Sequence, residues 1–129
     1  MRLLLDTHIA IWAATDEYDL SDGERAEIIV VTPVISAVSI WETRLKWRSF
    51  HASGDRKGII SPDKLLAFIT TVGWTLLPLT AHHAVATLQH PLAHKDPFDE
   101  LLLVQAQEEG LRLLTRDEKL ARHPLTLFV

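Results

Sequence analysis

Four carboxylates, Asp6, Glu42, Asp99 and Asp117, stand where apolar stretches give way to helix-prone ones. Asp6 closes the run Leu3-Leu4-Leu5 and is followed by Thr7-His8. Any one of these acids is explained cheaply. A carboxylate at a helix N-terminus accepts free N–H groups and favours the helix dipole, worth about 0.3–2 kcal/mol. Asp96, with Pro97 at the first helical position, fits that role best. Two features set the group apart. Asp99 is in register with Leu102, Leu103 and Ala106, and Glu42 lies beside Val38, Trp41 and Leu45, so both border inward-facing stripes where an unpaired charge is rare. Few basic residues are placed to neutralise them. Two carboxylates brought to about 5 Å repel by roughly 3 kcal/mol at an effective dielectric of about 20. A divalent cation turns that repulsion into coordination, and an all-oxygen ligand set suits Mg²⁺ or Mn²⁺. An ion held this way polarises a phosphoryl oxygen and lowers the pKa of a bound water, the chemistry of phosphodiester hydrolysis. The sequence has no Gly-rich phosphate loop, so nucleoside triphosphate use is not indicated.

The elements that must position these acids alternate along the chain. Residues 2–5 read as a buried strand and 8–14 as a helix. Ser21-x-x-Glu24 is a capping box that opens a helix to about Val30. Val34-Ile35-Ser36 is a brief strand, and 38–48 is a helix with Val38, Trp41 and Leu45 apolar. Residues 49–61 are a polar loop. Ser61-Pro62 starts a helix carrying Leu65, Leu66 and Ile69, which Gly73 ends. A strand over 74–79 stops at Pro78, and Thr80 caps a helix over 81–88. After a loop at 89–95, Asp96-Pro97 opens a helix closed by Gly110. Residues 111–115 form a buried strand, 117–121 a short helix and 125–129 an edge strand. This order predicts an α/β fold, a three-layer α/β/α arrangement around a mostly parallel sheet of four to five strands. Ligands of such sheets bind beyond the carboxyl ends of the strands.

The chain has 129 residues, which predicts one domain over 1–129. With 47% apolar and 23% charged residues it has an ordinary globular composition. The absence of cysteine rules out thiolate and disulfide chemistry and fits a cytoplasmic protein. No signal peptide or membrane span is expected. A net charge of −4 argues against a dedicated duplex-DNA binder but leaves room for local basic patches.

The motifs Leu3-Leu4-Leu5-Asp6-Thr7-His8, Ser36-Ala37-Val38-Ser39-Ile40-Trp41-Glu42, Asp96-Pro97-Phe98-Asp99 with the apolar 102–106 stretch, and Leu114-Thr115-Arg116-Asp117 together resemble the PIN-domain ribonucleases. More closely, they resemble the VapC toxins of bacterial toxin–antitoxin pairs. The resemblance spans nearly the whole chain, and its four motifs are specific as an ordered set. It implies an endoribonuclease in which Asp6, Glu42, Asp99 and Asp117 surround Mg²⁺ or Mn²⁺. Asp6 and Asp99 match the most dependable ligands, and Thr7 and Thr115 match supporting hydroxyls. Asp96 is first a cap. The resemblance further implies an RNA substrate, a homodimer, and a cognate antitoxin whose tail covers the acidic site.

Other residues carry weaker signals. His90-x-x-x-His94 has a ligand spacing, but Pro91 intervenes and solvent exposure is the expectation. Of His82 and His83, one is expected packed and one wet. Arg44, Lys46, Arg48, Arg56 and Lys57 read either as a solvated face or as an RNA-phosphate track leading to Glu42. Arg116 and His8 are further candidate RNA contacts, while Trp12 and Trp41 are expected in the core. Two rival readings stand beside the nuclease. A catalytically degenerate PIN-like binding domain would keep the fold without the ion. A haloacid-dehalogenase-like phosphatase needs a second Asp two residues after the first, where this chain has His8.

Overall fold

Leu3, Leu4 and Leu5 are fully buried because their strand runs through the middle of the sheet, covered on both faces. The computed structural model describes residues 2–16 and 19–129. Its elements are β1 (Leu3–Leu5), α1 (Thr7–Thr15), α2 (Asp22–Val30), β2 (Val34–Ser36), α3 (Ala37–Trp47), α4 (Pro62–Val72), β3 (Thr75–Leu77), α5 (Ala81–Val85), α6 (Pro97–Glu109), β4 (Arg112–Leu114), a 3-10 turn (Glu118–Leu120) and β5 (Thr126–Leu127). All five strands are parallel, in the order β3-β2-β1-β4-β5. The strand-by-strand alternation of side chains makes two cores. Leu3 and Leu5 face Ile9, Ile35, Leu65 and Ile69. Leu4 faces Val34, Leu102, Leu103 and Leu113. The predicted three-layer α/β architecture is therefore the observed one.

Local chemistry sets the element ends. Ser21 and Glu24 form the full capping box of α2. Ser61 caps α4 with Pro62 at its first position, and Asp96 caps α6 with Pro97 following. Gly73 and Gly110 end those helices at φ +74° and +67°, a left-handed conformation that side chains with a Cβ resist. Among the described residues no helix is long and apolar enough to cross a membrane.

Three expectations are corrected. The buried side of α3 is Val38, Ser39 and Thr43, whereas Trp41 is 53% exposed and Leu45 is also exposed. Small hydroxyl residues at Ser39 and Thr43 let α1 and α4 pack against α3, which turns the larger apolar groups outward. The helix after Thr80 ends at Val85, because the Gln107 side chain binds the Thr87 carbonyl and the Gln89 N–H and draws the chain out of the helix. The helix expected at 117–121 is a 3-10 turn, with Asp117 accepting from the Lys119 N–H.

The loop after α3 is tied down. Phe50 and Arg56 form an antiparallel bridge, and the Lys57 N–H donates to the Ser49 carbonyl at 2.8 Å. The Arg56 guanidinium lies 4.1 Å from the Trp47 ring centre and 4.8 Å from that of Phe50, and it donates to the Trp47 carbonyl. Gly58 presses on α3, where a Cβ would meet the Trp47 backbone at 2.8 Å. Gly58→Ala must push the loop off the helix. It is expected to cost about 1–3 kcal/mol, read as a lower urea midpoint at unchanged m-value.

Candidate functional site

The strand order reverses between β1 and β4, so the crevice beyond their carboxyl ends is the natural ligand position of this sheet. Asp6 leaves β1 there, and Thr115-Arg116-Asp117 leaves β4 beside it. β2 delivers α3 and Glu42 to the same edge. α6 runs back toward the strand it precedes, which brings its N-terminal turn, with Asp96 and Asp99, to that edge as well.

Hydroxyls fix the carboxylates. Asp6 Oδ1 accepts from the Thr7 N–H at 2.7 Å, and Oδ2 accepts from the Thr115 hydroxyl at 2.5 Å. The same Thr115 oxygen accepts from the Asp117 N–H at 3.1 Å, so one buried hydroxyl joins the ends of β1 and β4. The Thr7 hydroxyl donates to Glu42 Oε1 at 2.7 Å and stands 2.9 Å from Ser39 Oγ. Glu42 is thus tied to Asp6 through Thr7. Asp96 accepts from the N–H groups of Phe98 and Asp99, the capping role expected of it.

Asp99 shows the electrostatic strain of the group. Burial pushes its carboxyl above the ordinary range, a hydrogen bond from His94 opposes the rise, and the charges of Asp96, Asp6 and Asp117 add to it. The acids from β1, β4 and α6 therefore share one field. Among the described residues, no three acids or histidines already stand in closed coordinating geometry. The donor set fits an oxygen-loving divalent cation in kind: gathered carboxylates, two of them steered by threonine hydroxyls, with one partly buried acid penalised by its like-charged neighbours.

The bases near the acids are more numerous than expected. His94 Nε2 is 2.9 Å from Asp99 Oδ2, so His94 belongs to the site rather than to solvent. Pro91 disguised it, because the expectation weighed only the His90–His94 pair and not a contact five residues onward. Lys46 lies 3.9 Å from Glu42. Arg116 is engaged elsewhere: its guanidinium pairs with buried Glu24, donates to the Asp19 carbonyl at 2.6 Å and lies 4.3 Å from the Trp12 ring centre. Arg44 is half-buried near Trp41, Arg48 is exposed at the end of α3, and His8 is exposed and stacks on Trp12. Asp6, His8, Ile9, Trp12, Arg116 and Asp117 line an open cleft of about 270 Å³. As expected for the histidine pair, His83 is buried and His82 exposed.

Thr115→Val keeps the shape of the residue and removes the hydroxyl shared by Asp6 and Asp117. It is expected to weaken divalent-cation binding about 10–100-fold, measurable by titration calorimetry.

A parallel sheet in this order, with acids at the ends of β1 and β4 and at the start of α6, defines an α/β protein with an acidic crevice at its switch point. The PIN domain family model matches residues 3–124, and the chain belongs to that family, in its VapC branch. It is 32% identical over 127 residues to Ribonuclease VapC22 of Mycobacterium tuberculosis, covering 94% of this chain and 91% of the relative. Its fold is similar to VapBC from Salmonella typhimurium in a DNA-bound crystal structure, at TM-score 0.64 and 18% identity, covering 100% of this chain and 97% of that one. It is also similar to a chain of a toxin-antitoxin complex from Klebsiella pneumoniae, at TM-score 0.60 and 20% identity, covering 97% and 95%.

Proposed function

We propose that this chain, as one domain over 1–129, is a cytoplasmic metal-dependent endoribonuclease and the toxin of a toxin–antitoxin pair. The observation that carries the proposal is the meeting of Asp6, Asp117 and Asp99 in one field at the switch point of the sheet, with Asp99 driven toward its protonated form by burial and by those neighbours. The relative named a ribonuclease and the similar folds in VapBC complexes support the same reading.

Asp6, Asp99 and Asp117 would hold Mg²⁺ or Mn²⁺, with Glu42 completing the set through its tie to Thr7. The ion supplies Lewis acidity toward a phosphoryl oxygen and a more acidic water. The chain's own residues do the remaining work. Thr115 and the Thr7 N–H fix the two oxygens of Asp6, which lines the cleft. His94 holds Asp99 Oδ2 through a contact of 2.9 Å. RNA approaches the open cleft, with His8, Arg44, Arg48 and Arg116 as the candidate contacts to its backbone. An antitoxin and a second copy of the chain are the partners this reading includes.

The test is cleavage of single-stranded RNA with Mg²⁺ or Mn²⁺ by wild type, Asp6→Asn and Asp99→Asn. The reading expects activity in wild type alone, abolished by EDTA. Equal cleavage by all three, or indifference to EDTA, overturns it. Divalent-ion affinity separates this reading from a degenerate binding domain, which would bind no such ion tightly.

A further inference from the structure

A second hollow opens beside the acidic cleft, lined by His8, Ile11, Thr43, Lys46, Lys57 and Gly58, together with Ile59 and Ile60. His8 lines both, so the two are contiguous. The polar wall is cationic. The Lys46 ammonium donates to His8 Nε2 at 2.7 Å and lies 3.9 Å from Glu42. Lys57 makes no ion pair among the described residues and is exposed at the rim.

We infer that this hollow holds a backbone phosphate of the RNA, next along the strand from the one at the acids, through Lys46 and Lys57. The inference rests on the ribonuclease reading and deepens it. Four observations carry it. First, the fold itself places Lys57. The Phe50–Arg56 bridge, the Lys57 N–H to Ser49 bond and the contact of Gly58 with Trp47 hold the loop against α3. A surface lysine on a free loop would have no such fixed position. Second, the hollow measures about 80 Å³ against about 270 Å³ for the cleft, a size suited to a phosphate group rather than a nucleotide. Third, the acids repel a polyanion, and cations placed directly beside them offset that repulsion where the strand must enter. Fourth, two other basic groups of this region, Arg56 and Arg116, are engaged within the fold. Arg56 is stacked between Trp47 and Phe50, and Arg116 is paired with Glu24. Lys46 and Lys57 are the two lysines that line the hollow.

Binding and cleavage separate the two levels of the reading. Affinity is measured with the Asp99→Asn protein in EDTA, using a 5′-labelled single-stranded RNA oligonucleotide over a range of salt. Lys46→Ala and Lys57→Ala in that background are each expected to weaken binding about fivefold and to make the log–log salt slope shallower by about 0.7 per lysine. Lys46→Arg and Lys57→Arg are expected to restore both. Arg122→Ala, ahead of β5 at the opposite edge of the sheet, is the control and is expected to change neither. In cleavage assays with the Asp99 side chain intact, the two alanine variants are expected to raise KM more than they lower kcat. Unchanged affinity and slope in the double alanine variant overturns this inference while wild type still cleaves RNA. Failure of wild type to cleave RNA overturns the ribonuclease reading instead.

Discussion

Asp99→Asn is expected to lower RNA cleavage on the order of 10³-fold while making the metal-free protein more stable at neutral pH. The two effects have one source. Burial raises the proton affinity of the Asp99 carboxyl, with the charges of Asp96, Asp6 and Asp117 adding and His94 opposing. A carboxyl whose folded pKa lies above its unfolded value binds more protons in the folded state. Stability therefore falls as pH rises, from the ordinary value of 3.8 through the raised one, and the penalty is complete above it. Asparagine removes the charge and keeps a carbonyl oxygen for His94. A gain on the order of 1 kcal/mol in thermal or urea melts is the expected outcome. On the proposed metal site, a divalent cation would offset the same penalty in wild type, so Mg²⁺ should raise its melting temperature and leave that of Asp99→Asn unmoved. A loss of stability in Asp99→Asn, with no Mg²⁺ effect on wild type, would mean that Asp99 serves the fold through His94 and not an ion.

Arg116→Ala is expected to cost about 2–3 kcal/mol, the largest stability loss among the charged positions around the site. Glu24 is 1% exposed, and removing Arg116 leaves its carboxylate buried with only the Ser21 contacts. The figure sits below the usual range for a broken buried pair because the Arg116 side chain is 41% exposed. Burial raises the pKa of Glu24, but Arg116 and Ser21 outweigh it and the net shift is downward. That contribution is present above 4.5 and is lost as pH falls through the depressed folded value. The Arg116→Ala penalty should therefore shrink in acid, checked by urea melts at pH 7 and pH 3. Lost RNA affinity without lost stability would instead assign Arg116 to the substrate.

Most of the architecture was legible because its signals are local. Capping residues, Pro97 after Asp96, and glycines at left-handed positions mark element ends from their own chemistry. The facing of α3 was not legible, since Trp41 and Leu45 have the right spacing and the wrong side. Only the approach of α1 and α4 decides that Ser39 and Thr43 go inward. The four acids stand out in the sequence as a set, but their hydrogen-bond partners do not. His94 reaches Asp99 across a loop, Arg116 reaches Glu24 from 92 residues away, and no periodicity encodes either.

The Thr115-to-Asp6 hydrogen bond spans 109 residues of the 129. Its consequence lies in the order of assembly. Contacts so distant in sequence close late, after the loop entropy between them has been overcome. During synthesis the chain emerges with Asp6 first, and β1 has only β2 to pair with until β4 appears. The acidic edge is therefore one of the last features to form. A nascent chain, or one truncated before β4, carries most of the helices and none of the completed edge.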